Sequence, residues 1–229
     1  MSIFVIADLH LSLGTDKPMD IFRGWDNYLE RLEKNWRGIV NDDDTVVIPG
    51  DVSWAMKLED TEEDLRFIHN LPGEKLILKG NHDLWWSTIS KMKKFVHDKG
   101  FDTIEFVHNN AVVAGEFVIC GSRGWFFDDD ESCAKVITRE AGRLNASIKE
   151  AKKTEKEPIV FLHYPPVYGS QVCNEIWDVL KAHDVKRVYY GHLHGQSMMN
   201  ATEGSYDGVK LRLISADRLE FVPLIVEKF

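Results

Sequence analysis

Lys75-Leu76-Ile77-Leu78-Lys79 runs directly into Gly80-Asn81-His82-Asp83. The apolar run reads as a short buried strand. Gly80 lets the backbone turn sharply and pass close to whatever lies at the strand end. An amide oxygen, an imidazole and a carboxylate then follow in succession, which is more polar chemistry than a plain turn uses.

Four other strand-like runs end in the same way. Ser2–Ala7 leads into Asp8-Leu9-His10, and Thr45–Pro49 into Gly50-Asp51. Pro158–Leu162 leads into His163, and Arg187–Tyr190 into Gly191-His192-Leu193-His194. In extended backbone, residues two apart share a face. Asp8 and His10 are therefore expected to face one point, with Leu9 turned to the core, and His192 and His194 to repeat that geometry.

Between these runs the spacing changes to three and four. Trp25, Tyr28, Leu29, Leu32, Trp36, Ile39 and Val40 predict an amphipathic helix over 24–40. Thr61 reads as an N-cap before Glu62, Glu63 and Asp64, which suit a positive helix end. Further helices are predicted over 87–99, from Ala134 to Ala151, and over 174–182. Strand alternating with helix is the mark of βαβ units and a largely parallel sheet, and ligands bind beyond the carboxyl ends of such strands. Thr103–Val107, Ala111–Ala114 and Glu116–Cys120 read as short antiparallel strands, in a second sheet or an extension of the first. The stretch from Val209 to Phe229 reads as a β-hairpin turning at Asp217-Arg218. The expected fold class is α/β, in a single domain spanning 1–229.

Composition narrows the function. A hydrophobic fraction of 44% supports a full core, and 28% charged residues support solubility. A formal net charge of -9 argues against broad electrostatic binding to nucleic acid or anionic lipid. No apolar run approaches a membrane span. A first strand beginning at Ser2 leaves no room for a cleavable signal. Cys120, Cys133 and Cys173 are odd in number and lack metal-type spacing, so a reducing cytoplasm without disulfides is expected.

The strand-end groups are Asp8, His10, Asp51, Asn81, His82, His163, His192 and His194. Buried together without a cation, such a set would be left repelling or unpaired. Mixed imidazole and carboxylate donors suit Mn²⁺, Fe²⁺ or Zn²⁺ rather than Ca²⁺. Seven of these groups are enough for two ions if one carboxylate bridges, and paired ions can clamp a phosphoryl group. His69, His97, His108 and His183 read as ordinary packed or surface residues.

Asp8-x-His10, Gly50-Asp51, Gly80-Asn81-His82-Asp83, His163 and Gly191-His192-x-His194 together resemble the calcineurin-like metallophosphoesterase superfamily, in order and spacing, from residue 8 to residue 194. The resemblance implies two packed mixed β-sheets flanked by helices and a dinuclear metal-dependent phosphohydrolase. Asp8, His10, Asp51 and His194 would hold one metal, and Asp51, Asn81, His163 and His192 the other. A metal-bridging hydroxide would attack phosphorus in line, and His82 would protonate the leaving oxygen. Asp83 would orient His82 or cap a helix. Many members carry an arginine shortly after Gly-Asp, whereas Val52-Ser53-Trp54 stand here. Arg123 is the candidate replacement, or else a surface ion pair. Trp54, Trp85, Trp86 and Trp125 lie beside the motifs as packing, or as an aromatic wall for substrate. A small-molecule phosphoester, monoester or diester, is the expected partner. A nuclease of the same superfamily and a non-catalytic scaffold are the alternatives.

Overall fold

A computed structural model of the chain describes residues 1–125 and 131–226. The acidic run Asp128-Asp129-Asp130 lies outside the described residues. Strands β1 (Ile3–Val5), β2 (Thr45–Pro49), β3 (Glu74–Leu78) and β4 (Ile104–Phe106) pair in parallel, and β13 (Leu224–Ile225) adds antiparallel beside β1. A second sheet has the order β11 (Gly204–Tyr206), β12 (Val209–Leu213), β10 (Arg187–Tyr190), β7 (Glu157–Leu162), β6 (Phe117–Ser122), β5 (Val112–Ala114). Its four inner strands are parallel and its two edges antiparallel. Strands β8 (Val167–Tyr168) and β9 (Gln171–Val172) form a small separate hairpin.

Alternation along the strands builds three apolar layers. Val5, Val47, Leu76 and Leu78 point inward and meet Ile119, Ile159, Phe161 and Tyr189 of the second sheet. Phe4, Ile6, Val46, Ile48 and Ile77 point the other way, under α1 (Tyr28–Ile39), α2 (Glu62–His69) and α3 (Ile89–Asp98). Val118, Val160, Leu162 and Val188 face α4 (Glu131–Ala151) and α5 (Asn174–Ala182). Both faces of each sheet are covered, so the inner strands read as continuous apolar runs. Helix α1 buries Tyr28, Leu32 and Trp36, one turn apart. Burying such side chains stabilises by about 1.5–3 kcal/mol each. Among the described residues, no helix is long and apolar enough to cross a membrane.

Three expectations need correction. Helix α1 starts later than 24, because Phe22–Tyr28 is a run of turns closed by Trp25 N–H to Phe22 and Tyr28 N–H to Trp25, and Asn27 is left-handed at φ 50°. The 103–107 segment is not antiparallel. Its strand β4 pairs parallel with β3, because the chain returns to that sheet through the α3 crossover. The 209–229 segment is not a hairpin. Strand β12 closes a hairpin with β11 around Asp207-Gly208, then the chain passes to the other sheet, where β13 pairs with β1. A parallel bridge between Ala7 and Ser215 joins the sheets at this crossing.

The candidate metal centre

The carboxyl ends of β1, β2, β3, β7 and β10 gather on one side, and backbone hydrogen bonds lock their loops together. Asp8 N–H donates to Gly50, His10 N–H to Asp51 (2.9 Å), and Gly191 N–H to the His163 carbonyl (3.1 Å). Two groups of ligand atoms result, one from Asp8, His10 and His194, the other from Asp51, His163 and His192; within each, the atoms lie within 4.8 Å of one another. Asp51 Oδ2 stands 3.8 Å from His10 Nε2 and 3.4 Å from His163 Nε2, between the groups. Asn81 Oδ1 stands 2.6 Å from His163 Nε2 and 2.9 Å from His192 Nδ1. All seven residues named as ligands therefore converge.

The route to convergence differs from strand alternation. Asp8 (φ 61°), His10 (φ 47°), Asp51 (φ 51°) and His192 (φ 73°) are left-handed. Each such conformation at a non-glycine residue costs about 1 kcal/mol or more, and the surrounding contacts must hold it. Asp8 accepts from His192 N–H (3.1 and 2.9 Å), and Asp51 Oδ1 accepts from His82 N–H (2.7 Å). His163 Nδ1 lies 3.2 Å from the Pro49 carbonyl, which turns Nε2 toward Asp51 and Asn81. Gly80 and Gly191 have no room for a side chain: a methyl on the first would overlap the Asp51 backbone and carboxylate, and one on the second the Asp8 carboxylate.

The electrostatics fit cations. Burial alone would raise Asp51, but the His163 and His10 imidazoles outweigh it and hold the carboxyl far below its ordinary range. Asp8 is likewise lowered, with His194 and His163 overcoming burial. Burial pulls His194 down, yet the Asp217 and Asp8 carboxylates lift it to about 10. Burial also opposes His163, which Asp51 and Asp8 raise to about 8. His10 and His192 are pushed down to about 4, chiefly by burial. Each group thus contains carboxylate charge strong enough to hold a proton on one imidazole, and a second imidazole that burial keeps neutral. A divalent ion suits both, with oxygen and nitrogen donors of the kind it takes.

Asp83 neither orients His82 nor caps α3. Its buried carboxylate accepts from Gly80 N (2.7 Å), Asp51 N (2.9 Å), Val52 N (2.9 Å), Ser53 N (3.3 Å) and Trp85 Nε1 (3.0 Å). It ties the β2 loop to the β3 loop, and α3 is capped by Thr88 instead. The reason is its strand-end position, where unpaired backbone N–H groups converge and need an acceptor. Trp85 is not a substrate wall either: it is 2% exposed, in the core beneath α3. Trp54 does line the centre, its ring stacked 4.8 Å from His10 and tilted 4.3 Å from His82, with Lys17 Nζ 3.3 Å above it. His82 is half-buried, its ring 5.6 Å from that of His10, and burial holds its imidazole below the ordinary value. Arg123 turns its guanidinium toward Glu140 of α4 (3.6 Å), while its carbonyl accepts from His163 and Tyr164 N–H.

Sequence reasoning missed three residues. Asp217, read as a turn, has Oδ1 2.8 Å from His194 Nδ1. Trp25, assigned to the helix core, packs edge-on to His10 (5.9 Å) and His194 (5.8 Å). Asp64, assigned to the helix end, is buried and accepts from Leu13 N and Ser53 Oγ, pinning the loops after β1 and β2. None follows a motif glycine, so only Asp217 offered a signal: a lone carboxylate between apolar runs.

The calcineurin-like phosphoesterase family model matches residues 1–196. No curated protein matches the chain. Solved structures with the same fold include a phosphopantetheinyl hydrolase from Mycobacterium tuberculosis, 14% identical, covering 100% of this chain and 96% of that one, with a TM-score of 0.57. A Thermus thermophilus protein is 13% identical, covering 91% and 86%, with a TM-score of 0.54. A protein from Aquifex aeolicus is 14% identical, covering 98% and 95%, also with a TM-score of 0.54. Identities this low speak for the fold alone. The family match spans most of the chain and includes every strand-end motif, so this chain belongs to the calcineurin-like phosphoesterase family.

Proposed function

We propose that the chain hydrolyses a small-molecule phosphoester at a two-metal centre. Asp8, His10, Asp51 and His194 would hold one divalent ion, and Asp51, Asn81, His163 and His192 the other. The observation that carries this reading is the position of Asp51 Oδ2, within 3.8 Å of an imidazole from each group. The nitrogen and oxygen donors suit Mn²⁺, Fe²⁺ or Zn²⁺. Bound there, the ions supply charge neutralisation for the phosphoryl oxygens and an activated water.

The protein's own residues do the rest. Asn81 and the four ligand histidines leave their lone pairs converging, and the Asp83 clamp keeps the Asp51 and Asn81 loops at fixed separation. His82 carries no assigned ligand role and stands at the rim beside Trp54, where its protonated form, which burial makes scarcer and falling pH restores, gives a proton to the leaving oxygen. Trp54 walls the same side, and Lys17 over its ring is placed to meet an incoming anion. Burial of all three cysteines as free thiols suits the reducing cytoplasm as the place of work.

Two variants test the assignment. His82→Ala should keep its metal by elemental analysis and lose about 10²–10⁴-fold in turnover on poor leaving groups. Wild-type rates on those esters would remove the acid role. Asp51→Ala should lose both ions, and full occupancy in that variant would end the bridging assignment.

A further inference from the structure

A second concentration of polar chemistry lies beside the metal centre, and none of the ligand residues lines it. It is a cleft between the ends of β3 and β6 and helix α4, walled by Lys79, Arg123, Trp125, Arg139, Glu140 and Arg143. Among the described residues, four cations face one carboxylate there, in a chain whose formal net charge is -9. That carboxylate is shared thinly, with Glu140 Oε1 3.6 Å from Arg123 Nη2 and 3.7 Å from Arg143 Nε. Among the described residues, neither Lys79 nor Arg139 has a carboxylate within ion-pair distance, and Glu140 acts on both only at longer range.

The cleft also contains polar atoms with nothing to bind. Arg123 Nε, Trp125 Nε1 and Glu140 Oε2 are buried and have no hydrogen-bond partner among the described residues. A buried unpaired donor costs about 1–3 kcal/mol, so two in one place, backed by surplus positive charge, mark a site shaped for an acceptor-rich anion. One aromatic ring separates the cleft from the metal centre. The Tyr164 ring lies 4.3 Å from that of His192 and 5.4 Å from that of Trp125, and the Arg123 guanidinium lies 4.7 Å over Trp125. Lys79 stands two residues before Asn81.

We propose that this cleft is a second phosphate subsite, so that the substrate is a small molecule with two phosphate groups, one hydrolysed at the metal centre while the other is held by Lys79, Arg123, Trp125 and Arg143. The inference rests on the phosphoesterase reading and names its substrate class. Phosphate fits better than carboxylate, because guanidinium forks, an indole N–H and an ammonium together exceed what two carboxylate oxygens accept. A small bisphosphate fits better than a nucleic acid, because the positive field is confined to one cleft and a longer polyanion would meet an acidic surface.

The test titrates inorganic phosphate into the Mn²⁺-loaded full chain by calorimetry, then measures kcat/KM for a sugar bisphosphate against phenyl phosphate. Wild type should bind a second equivalent of phosphate and prefer the bisphosphate. Arg143→Gln and Lys79→Gln, on separate elements and checked for an unchanged thermal transition, should each weaken the second equivalent by about tenfold or more and cut the preference similarly. A wild type that binds one equivalent, variants that bind two as tightly, or a preference the variants leave intact would each overturn the subsite. So would a preference for an oligonucleotide over the bisphosphate. Inactivity of the loaded wild type toward both esters would instead overturn the phosphoesterase reading, and the second binding equivalent would separate the two failures.

Discussion

Aspartate 217 shows how one side chain outside every motif can govern the site. Its carboxylate stands 2.8 Å from His194 Nδ1, on the far side of the ring from Asp8, whose Oδ1 is 3.7 Å from Nε2. The ring therefore has a carboxylate at each end, and its angle is set by the Asp217 hydrogen bond. Partners of this kind are worth about 10–100-fold in metal affinity. Asp217→Ala should weaken the ion held by Asp8, His10 and His194 by that range and leave the other ion nearly untouched. Manganese titration followed by calorimetry reads the two sites separately; equal weakening of both would contradict the assignment. Asp83 teaches the same lesson differently. Adjacent to His82 in sequence, it serves four backbone N–H groups and an indole, because the strand-end turn points it away from the ring its neighbour carries.

At the scale of elements, the turns after β1, β2 and β10 hold strained residues, and the turn after β3 holds a glycine that permits close contact. Asp8, His10, Asp51 and His192 are left-handed, and Gly80 lies flush against Asp51. Strain of about 1 kcal/mol or more per residue persists because each turn is hydrogen-bonded to the next. Gly80→Ala places a methyl on the Asp51 amide, which cannot move without releasing the Asp83 clamp. The expected result is a loss of about 2 kcal/mol or more of stability, an order-of-magnitude figure for overpacking, with metal content reduced at both sites. Urea unfolding and elemental analysis check it, and a stable, fully loaded variant would show that the turns are less tightly coupled than the contacts indicate. Helix α2 makes a related contribution. Lys75 Nζ donates to the carbonyls of His69 (3.3 Å), Leu71 (2.7 Å) and Gly73 (2.5 Å), closing the helix end onto the strand that carries Asn81.

For the molecule as a whole, the candidate centre sits where two sheets meet, and the proposed ligands come from both. Asp8, Asp51 and Asn81 follow strands of the first sheet; His163, His192 and His194 follow strands of the second. An ion bound across that seam ties one half of the structure to the other. A ligand that binds only the folded state stabilises it by about 2.7 kcal/mol when present at roughly a hundred times its dissociation constant. Chelation should therefore lower the melting temperature by several degrees, and readdition of Mn²⁺ should restore it. An unchanged melting curve after verified metal removal would mean that the seam is rigid without its ions. The acidic surface works with this arrangement, since a net charge of -9 disfavours long polyanions while the cleft by α4 remains locally basic.

Much of this was legible in the order of residues. Apolar runs ending in Asp8-Leu9-His10, Gly50-Asp51, Gly80-Asn81-His82, His163 and His192-Leu193-His194 are local patterns, and burial on both faces makes parallel strands readable without any knowledge of their neighbours. The eight strand-end groups and the α/β class follow from them, whereas the choice of seven ligands and the two packed sheets rest on the resemblance to the calcineurin-like family. Contacts between segments far apart in sequence were not legible. The partner of Asp217, the orientation of Asp83, the passage of the C-terminal segment from one sheet to the other and the four cations gathered beside α4 depend on which strand ends lie together. Local periodicity reports which face of a segment is buried, whereas only the packed chain determines what that face meets.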